Sequence, residues 1–173
     1  YRTVNSVTLL PIHLKEVNFK THPSAYIHLN HNATLILKFE IFNQQHQLLS
    51  QHKLPLYLDA ISNFPLQLLD TIFKSDTQFS FKYRAYETNI SNPFEVMGFA
   101  EEDSLLPVDQ HTHQAYRLLT EYFCFPDKFN FLNINLDFLK AVTEAPTEFE
   151  LKIHFKANLN DQAAIHNYAE LNS

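Results

Sequence analysis

Glycine is almost missing from this chain: Gly98 is its single example in 173 residues. That scarcity excludes a glycine-rich phosphate loop and a G-x-S-x-G nucleophile elbow, and it leaves the turns to Asn, Asp, Ser and Pro. Cysteine is equally scarce: the lone Cys124 excludes an intramolecular disulfide and fits a reducing compartment. With no tryptophan, sixteen Phe and eight Tyr must supply an aromatic core. No apolar run approaches the roughly 20 residues that cross a bilayer, and no signal peptide is visible. A soluble domain without a membrane span is expected. Basic residues number 13 against 19 acidic ones, for a formal net charge of −6 and no Lys/Arg cluster, so a nucleic-acid partner is disfavoured. The chain opens on Tyr1 rather than Met, already in a strand-like pattern, and reads as a piece of a longer protein.

What is present is globular in balance. Hydrophobic residues make up 45% and charged ones 18%, enough for one domain with a real core and unlike a disordered chain. Val7 to Phe19 reads as extended structure interrupted by Pro11 and the Lys15-Glu16 pair. Ala25 to Leu29 is a short strand candidate, followed by a turn at His31-Asn32. Leu35, Leu37, Phe39 and Ile41 then alternate with Lys38 and Glu40 as a half-buried strand. A polar turn at Asn43 to His46 leads to Leu54, Leu56 and Leu58 at period 2, which predicts a hairpin or meander. Ser62-Asn63 offers an N-cap and Pro65 a first-turn proline for a crossover helix whose face is Leu66, Leu69 and Phe73. Phe79, Phe81, Tyr83 and Ala85 form the next alternating strand, broken at Asn89 to Pro93, and extended structure resumes over Phe94 to Phe99. Phe129 to Leu136 is a strand, Leu139 to Val142 a helical turn, and Phe149, Leu151, Ile153 and Phe155 make the cleanest alternation in the chain. The fold class expected is α+β, mainly β: antiparallel, sandwich-like sheets with two or three short helices at the edges. Residues 1–157 are read as a single β-rich domain. Residues 158–173 are read as a short tail able to form a helix and leading to the next segment of the parent.

The most specified window is QAYRLLTEYFCFPDKFNF, Gln114 to Phe131. Ala115, Leu118, Leu119 and Tyr122 fall at i, i+3, i+4 and i+7 and predict one buried apolar stripe. Pro126 forces the helix to end near Cys124, and a strand follows it. Arg117 and Glu121 stand at i, i+4, with Lys128 just beyond the proline. They form either a local pair worth a few tenths of a kcal/mol or an anchor in which Arg117 reaches into the sheet layer and orients the helix through a bidentate pair with Glu121 or a backbone carbonyl.

Candidate chemistry is sparse. Cys124 lies at a helix C-terminus, whose dipole disfavours a thiolate, and is read as a core residue. His28 with His31, and His111 with His113, lack a further ligand and are read as surface or capping residues. Glu101, Glu102, Asp103 and Asp109 lack the ligand order and central glycine of a calcium loop and read as a solvated loop. Paired carboxylates for glycoside hydrolysis have no pointer. No nucleophile, base and oxyanion donor can be named together, so the reading is no enzyme, no cofactor and no metal.

The same window carries a resemblance. Tyr116, Arg117, Leu118, Leu119, Glu121, Tyr122, Phe123, Phe125, Pro126, Lys128 and Phe129 resemble the Y-R-L-L-x-E-Y-F-x-F-P-x-K-F run of the TssF family, a baseplate subunit of the bacterial type VI secretion machine. Gly98-Phe99 with Glu101, Leu105, Leu106 and Pro107 resembles a second family segment, and Tyr1-Arg2-Thr3 with Val7, Thr8, Leu9 and Pro11 a third. The chain departs from the family at Ala115 and at Leu136-Asp137-Phe138, where members carry Gly and a Gly-Leu pair. The resemblance spans Tyr1 to about Leu136 and implies a middle-region fragment of a much longer subunit. It implies a structural wedge component that acts by assembly, with a TssG-like partner and TssK, TssE and VgrG-type proteins around it. The implied location is the cytoplasmic side of the envelope, at the inner-membrane-associated baseplate. Solvent-facing aromatics suit such contacts, and Tyr57, Tyr86 and the Phe94 loop are the candidate interface residues. The alternative is a stand-alone β-sandwich module that binds a carbohydrate or lipid.

Overall fold

The computed structural model describes residues 9–21, 31–42, 49–59, 64–106, 113–142 and 146–157. Within them the chain runs β1 (Ile12–Thr21), β2 (Ala33–Ile41), β3 (Lys53–Tyr57), α1 (Phe64–Ile72), β4 (Gln78–Tyr83), β5 (Tyr86–Ile90) and β6 (Phe94–Val96). It continues through α2 (Gln114–Cys124), a 3-10 turn (Pro126–Asn130), β7 (Phe131–Asn135), a second 3-10 turn (Asp137–Ala141) and β8 (Glu148–Phe155). Five strands form one sheet in the order β1-β2-β8-β4-β5, and three form another in the order β3-β7-β6. Every pairing is antiparallel, as the mainly β, α+β reading requires.

β8 is the keystone of the larger sheet. Its alternation sends Phe149, Leu151, Ile153 and Phe155 to the buried face and Glu148, Glu150, Lys152 and His154 to the other. Leu151 stands between Leu37 of β2 and Phe81 of β4, so the strand with the strongest period-2 signal takes the centre. The rings of Phe39 and Phe149 lie 5.1 Å apart, and Phe81 lies 5.7 Å from Phe149, cross-strand aromatic contacts that fix the register. On the opposite face Lys15 and Lys38 both reach Glu148, Lys152 reaches Glu87, and His154 bridges the hydroxyls of Thr34 and Ser80 at 3.0 and 2.9 Å. Leu132 and Ile134 of the smaller sheet join the same hydrophobic cluster, so both sheets share one core.

Several expectations need correction. β2 and β3 do not form a hairpin: β2 pairs with β1 and β8, and β3 pairs with β7. Period 2 shows that a segment is a strand but carries no information about its neighbour. The strand expected to run through Ala85 ends at Tyr83 and turns back as β5. The turn is made by Arg84 at φ +52, a left-handed conformation without glycine, with its guanidinium 5.0 Å from the Tyr83 ring centre. α1 turns Leu68 and Ile72 inward and leaves Leu66 and Phe73 exposed, because apolar residues at 66, 68, 69, 72 and 73 allow two faces. Between α2 and β7 the chain makes a 3-10 turn that contains Phe129, so the strand starts later than Phe129. The strand candidate Ala25 to Leu29, the Ser62-Asn63 cap, the opening motif at Tyr1 to Thr8 and the tail 158–173 lie outside the described residues.

Candidate functional site

α2 is built as expected at both ends. His113 caps it, its Nδ1 accepting from the Ala115 N–H at 3.2 Å, and Pro126 follows the last turn after Cys124. Its orientation is the reverse of the expected one. Arg117 and Glu121 are buried, while Ala115, Leu119 and Tyr122 of the predicted apolar stripe are exposed and Leu118 is half-buried. The helix turns its charged side in and its aromatic side out.

Glu121 explains the inversion. Its side chain is fully buried and saturated. Oε1 accepts the backbone N–H groups of Leu105 and Leu106 at 2.9 and 3.1 Å, with the Ser104 hydroxyl 3.2 Å away. Oε2 accepts from Arg117 Nη1 at 3.2 Å and pairs closely with Lys128 Nζ. The second arm of the guanidinium donates from Nη2 to the carbonyls of Phe99 and Ala100, 3.3 and 3.4 Å away. Arg117 is thus a buried anchor, as the second reading holds, but it reaches the 98–106 loop rather than the sheet layer and gives Glu121 a single bond instead of a bidentate pair; one carboxylate ties α2, that loop and the 3-10 turn together. Burial pushes the Glu121 carboxyl up. The Lys128 ammonium and the N–H groups of Leu106 and Leu105 overcome that push and bring it to about 2.

Gly98 supplies the last contact. At φ +91 it takes a conformation that L side chains rarely adopt, and its N–H donates to Asp103 at 2.8 Å to close the loop. A Cβ here would lie 3.0 Å from the Lys128 carbonyl oxygen. The single glycine of the chain therefore sits where the loop presses on the turn that holds Lys128.

The remaining motif residues divide by position. Phe129 is buried, 5.1 Å from the Phe99 ring and 5.9 Å from the Tyr122 ring, whereas Tyr116, Tyr122, Phe123, Phe125 and Pro126 are exposed. Cys124 is exposed as well, against the core reading: it is the last residue of α2, one turn beyond the buried Glu121. A thiol reagent is accordingly expected to titrate one equivalent of Cys124 in native buffer. Labelling that needs denaturant would contradict that exposure. Of the candidate interface residues, Tyr57 and Tyr86 are exposed, but Phe94 is only 4% exposed and packs 5.8 Å from Phe79, so it does not face solvent. Phe94 opens the short strand β6, whose pairing with β7 turns the ring into the core.

Other constellations are modest. His31 Nε2 lies 2.7 Å from the Asp76 carbonyl, while His28, His111 and Asp109 lie outside the described residues. Among the described residues no group of three or more His, Cys, Asp or Glu side chains could hold a metal, and no helix is long and apolar enough to cross a membrane. A cleft of about 400 Å³ is lined by Ile90, Ser91, Asn92, Pro93, Asn135, Asp137 and Phe138. Its polar groups serve the chain itself: Asn92 accepts from the Phe94 N–H, Asn135 from the Asp137 N–H, and Asp137 pairs with Lys140. A ligand site needs convergent polar groups left over for the ligand.

These residues define a two-sheet α+β domain whose most elaborate feature is a structural ion cluster beneath an exposed aromatic helix. A family model described as "Type VI secretion system, TssF" matches residues 1–169, and the chain belongs to the TssF family. It is 28% identical over 145 residues to the type VI secretion system component TssF1 of Pseudomonas aeruginosa PAO1, an alignment covering 78% of this chain and 23% of that protein. Its fold matches, with a TM-score of 0.66 and 24% identity, a chain in the cryo-electron-microscopy structure of the type VI secretion system TssK-TssF-TssG baseplate subcomplex. That match covers 90% of this chain and 29% of the other. The chain spans about a quarter of the length of these relatives.

Proposed function

We propose that this chain is a structural piece of a type VI secretion baseplate wedge and that it works by protein-protein assembly rather than catalysis. Membership of the TssF family, across 169 residues, is the observation that carries the reading. The chemistry of the cluster supports it. Every hydrogen-bonding partner of the buried Glu121 is another part of the same domain, so the carboxylate holds three segments in place and has no free oxygen for a substrate proton. The likeness to a chain of a TssK-TssF-TssG subcomplex supports TssG-like and TssK-like partners for the parent. Contacts of that parent with TssE and a VgrG-type spike, and a cytoplasmic position at the inner-membrane-associated baseplate, belong to the same proposal. So does an organisation in which residues 1–157 form one β-rich domain and 158–173 lead to the next segment.

The experiment is co-expression of the full-length parent with its TssG-like and TssK-like neighbours, followed by size-exclusion chromatography with mass determination. Co-elution as one heteromeric complex is expected. A parent that stays alone at every concentration overturns the assembly reading.

A further inference from the structure

We propose that the outward face of α2 is a docking surface for a basic amphipathic helix of a partner protein. The inference rests on the assembly reading and names the surface and the partner chemistry. Tyr116, Leu119 and Phe123 lie at i, i+3 and i+7 on the side of α2 away from Arg117 and Glu121, with Tyr122 beside them. Phe123 is 75% exposed and Tyr116 68%, and Leu119, Tyr122, Phe125 and Phe99 are exposed around them. Tyr122 lies 5.7 Å from Phe123 within the patch, and the buried Phe129 supports it from below, 5.9 Å from Tyr122 and 5.1 Å from Phe99. Scattered apolar residues are ordinary on a surface, but a contiguous aromatic patch on one helix marks an interaction site.

Its charge defines the occupant. The only charged residues of α2 are Arg117 and Glu121, both buried, so the outward face carries no charge at all. Lys128, the other cation of this region, is also turned inward onto Glu121. Among the described residues next to the patch in sequence, the exposed charged ones are carboxylates: Glu101 and Glu102 follow the exposed Phe99 by two and three positions, and Asp127 follows the exposed Phe125 by two. An uncharged aromatic strip with carboxylates near both ends complements a helix whose apolar stripe is flanked by Lys or Arg. An acidic segment would meet repulsion here, and a second copy would bring carboxylates against carboxylates. The Glu121 cluster holds the strip in one geometry before binding, which lowers the ordering cost of association.

The test uses two fluorescein-labelled 18-residue amphipathic peptides, one of Leu and Lys and one of Leu and Glu, titrated with the chain and read by fluorescence anisotropy. The Leu/Lys peptide is expected to bind at least tenfold more tightly than the Leu/Glu peptide. The chain's net charge of −6 attracts any basic peptide, so the deciding variants leave charge unchanged. Phe123→Ser with Tyr116→Ser should weaken binding at least tenfold, and Leu66→Ser on α1 should not. Both sites are exposed, and unchanged melting curves verify that the variants remain folded. Equal binding of the two peptides, or full binding by the Phe123/Tyr116 double variant, overturns the proposal. Self-association lost in that double variant, or co-sedimentation with phosphatidylcholine vesicles lost in it, also overturns it by giving the face to a second copy or a lipid surface. If the parent co-elutes with its neighbours while the chain ignores the Leu/Lys peptide, only the surface assignment fails. If the peptide binds as described but the parent never co-elutes, the assembly reading fails instead.

Discussion

Replacing Glu121 with Gln is expected to lower the melting temperature by roughly 6–20 °C, the equivalent of about 3–5 kcal/mol in a chain of this size. The loss is large because the variant leaves Arg117 and Lys128 buried without their shared counter-ion, while the amide cannot accept as the carboxylate does from Leu105, Leu106 and both cations. A buried pair broken on one side costs far more than an exposed pair. Arg117→Lys should give a smaller fall in the same direction, of about 1.5–3 kcal/mol. A lysine can reach Glu121 or the Phe99 and Ala100 carbonyls, but it lacks the planar fork that serves both.

The same carboxylate sets a pH dependence whose sign follows from its titration. Glu121 is deprotonated down to about 2 in the folded chain against an ordinary value of 4.5. Its stabilising contribution is therefore complete above 4.5 and disappears as pH falls from there toward 2. The difference in melting temperature between wild type and Glu121→Gln should shrink across that window. A difference that stays constant from neutral pH down to the lower limit would refute the charged cluster.

Gly98→Ala is expected to cost roughly 1–3 kcal/mol from backbone conformation alone, with the contact to the Lys128 carbonyl added to it. That contact is against backbone at 3.0 Å, so no flexible side chain can swing away to relieve it. The backbone term alone corresponds to a fall of roughly 2–12 °C in melting temperature, the contact adds to it, and the loosened loop should also expose Glu121. A melt within a degree of wild type would mean that the loop can move off the 3-10 turn at no cost. An alanine introduced at exposed Tyr86 provides the surface control.

Much of the fold was legible because local chemistry decided it. The strand β8 follows from strict alternation, since a pleated chain with one face in the core admits only that pattern. The end of α2 follows from Pro126, whose ring cannot continue a helix, and its start is held by a residue able to accept from the first turn, His113. Gly98 could be read from the sequence only as part of a family segment; its positive φ, set by the loop that closes on Asp103, came from the structure. The Arg117 and Glu121 spacing could be read from sequence as a pair, but its two readings, local pair and anchor, differ in burial.

What the sequence by itself determined is the strand character of the strictly alternating segments such as β8, where the main helix stops, and which residues carry the family motif. Each of these depends on neighbours within a few positions. Only the tertiary structure decided that β3 joins β7 rather than β2, that Phe94 points inward, and that α2 buries its charges and shows its aromatics. Helical periodicity identifies two faces and is silent on which one meets the core. The choice falls to partners distant in sequence: the N–H groups of Leu105 and Leu106, the carbonyls of Phe99 and Ala100, and Lys128 beyond the proline. Together they satisfy a buried carboxylate that no local pattern could have shown to be satisfied.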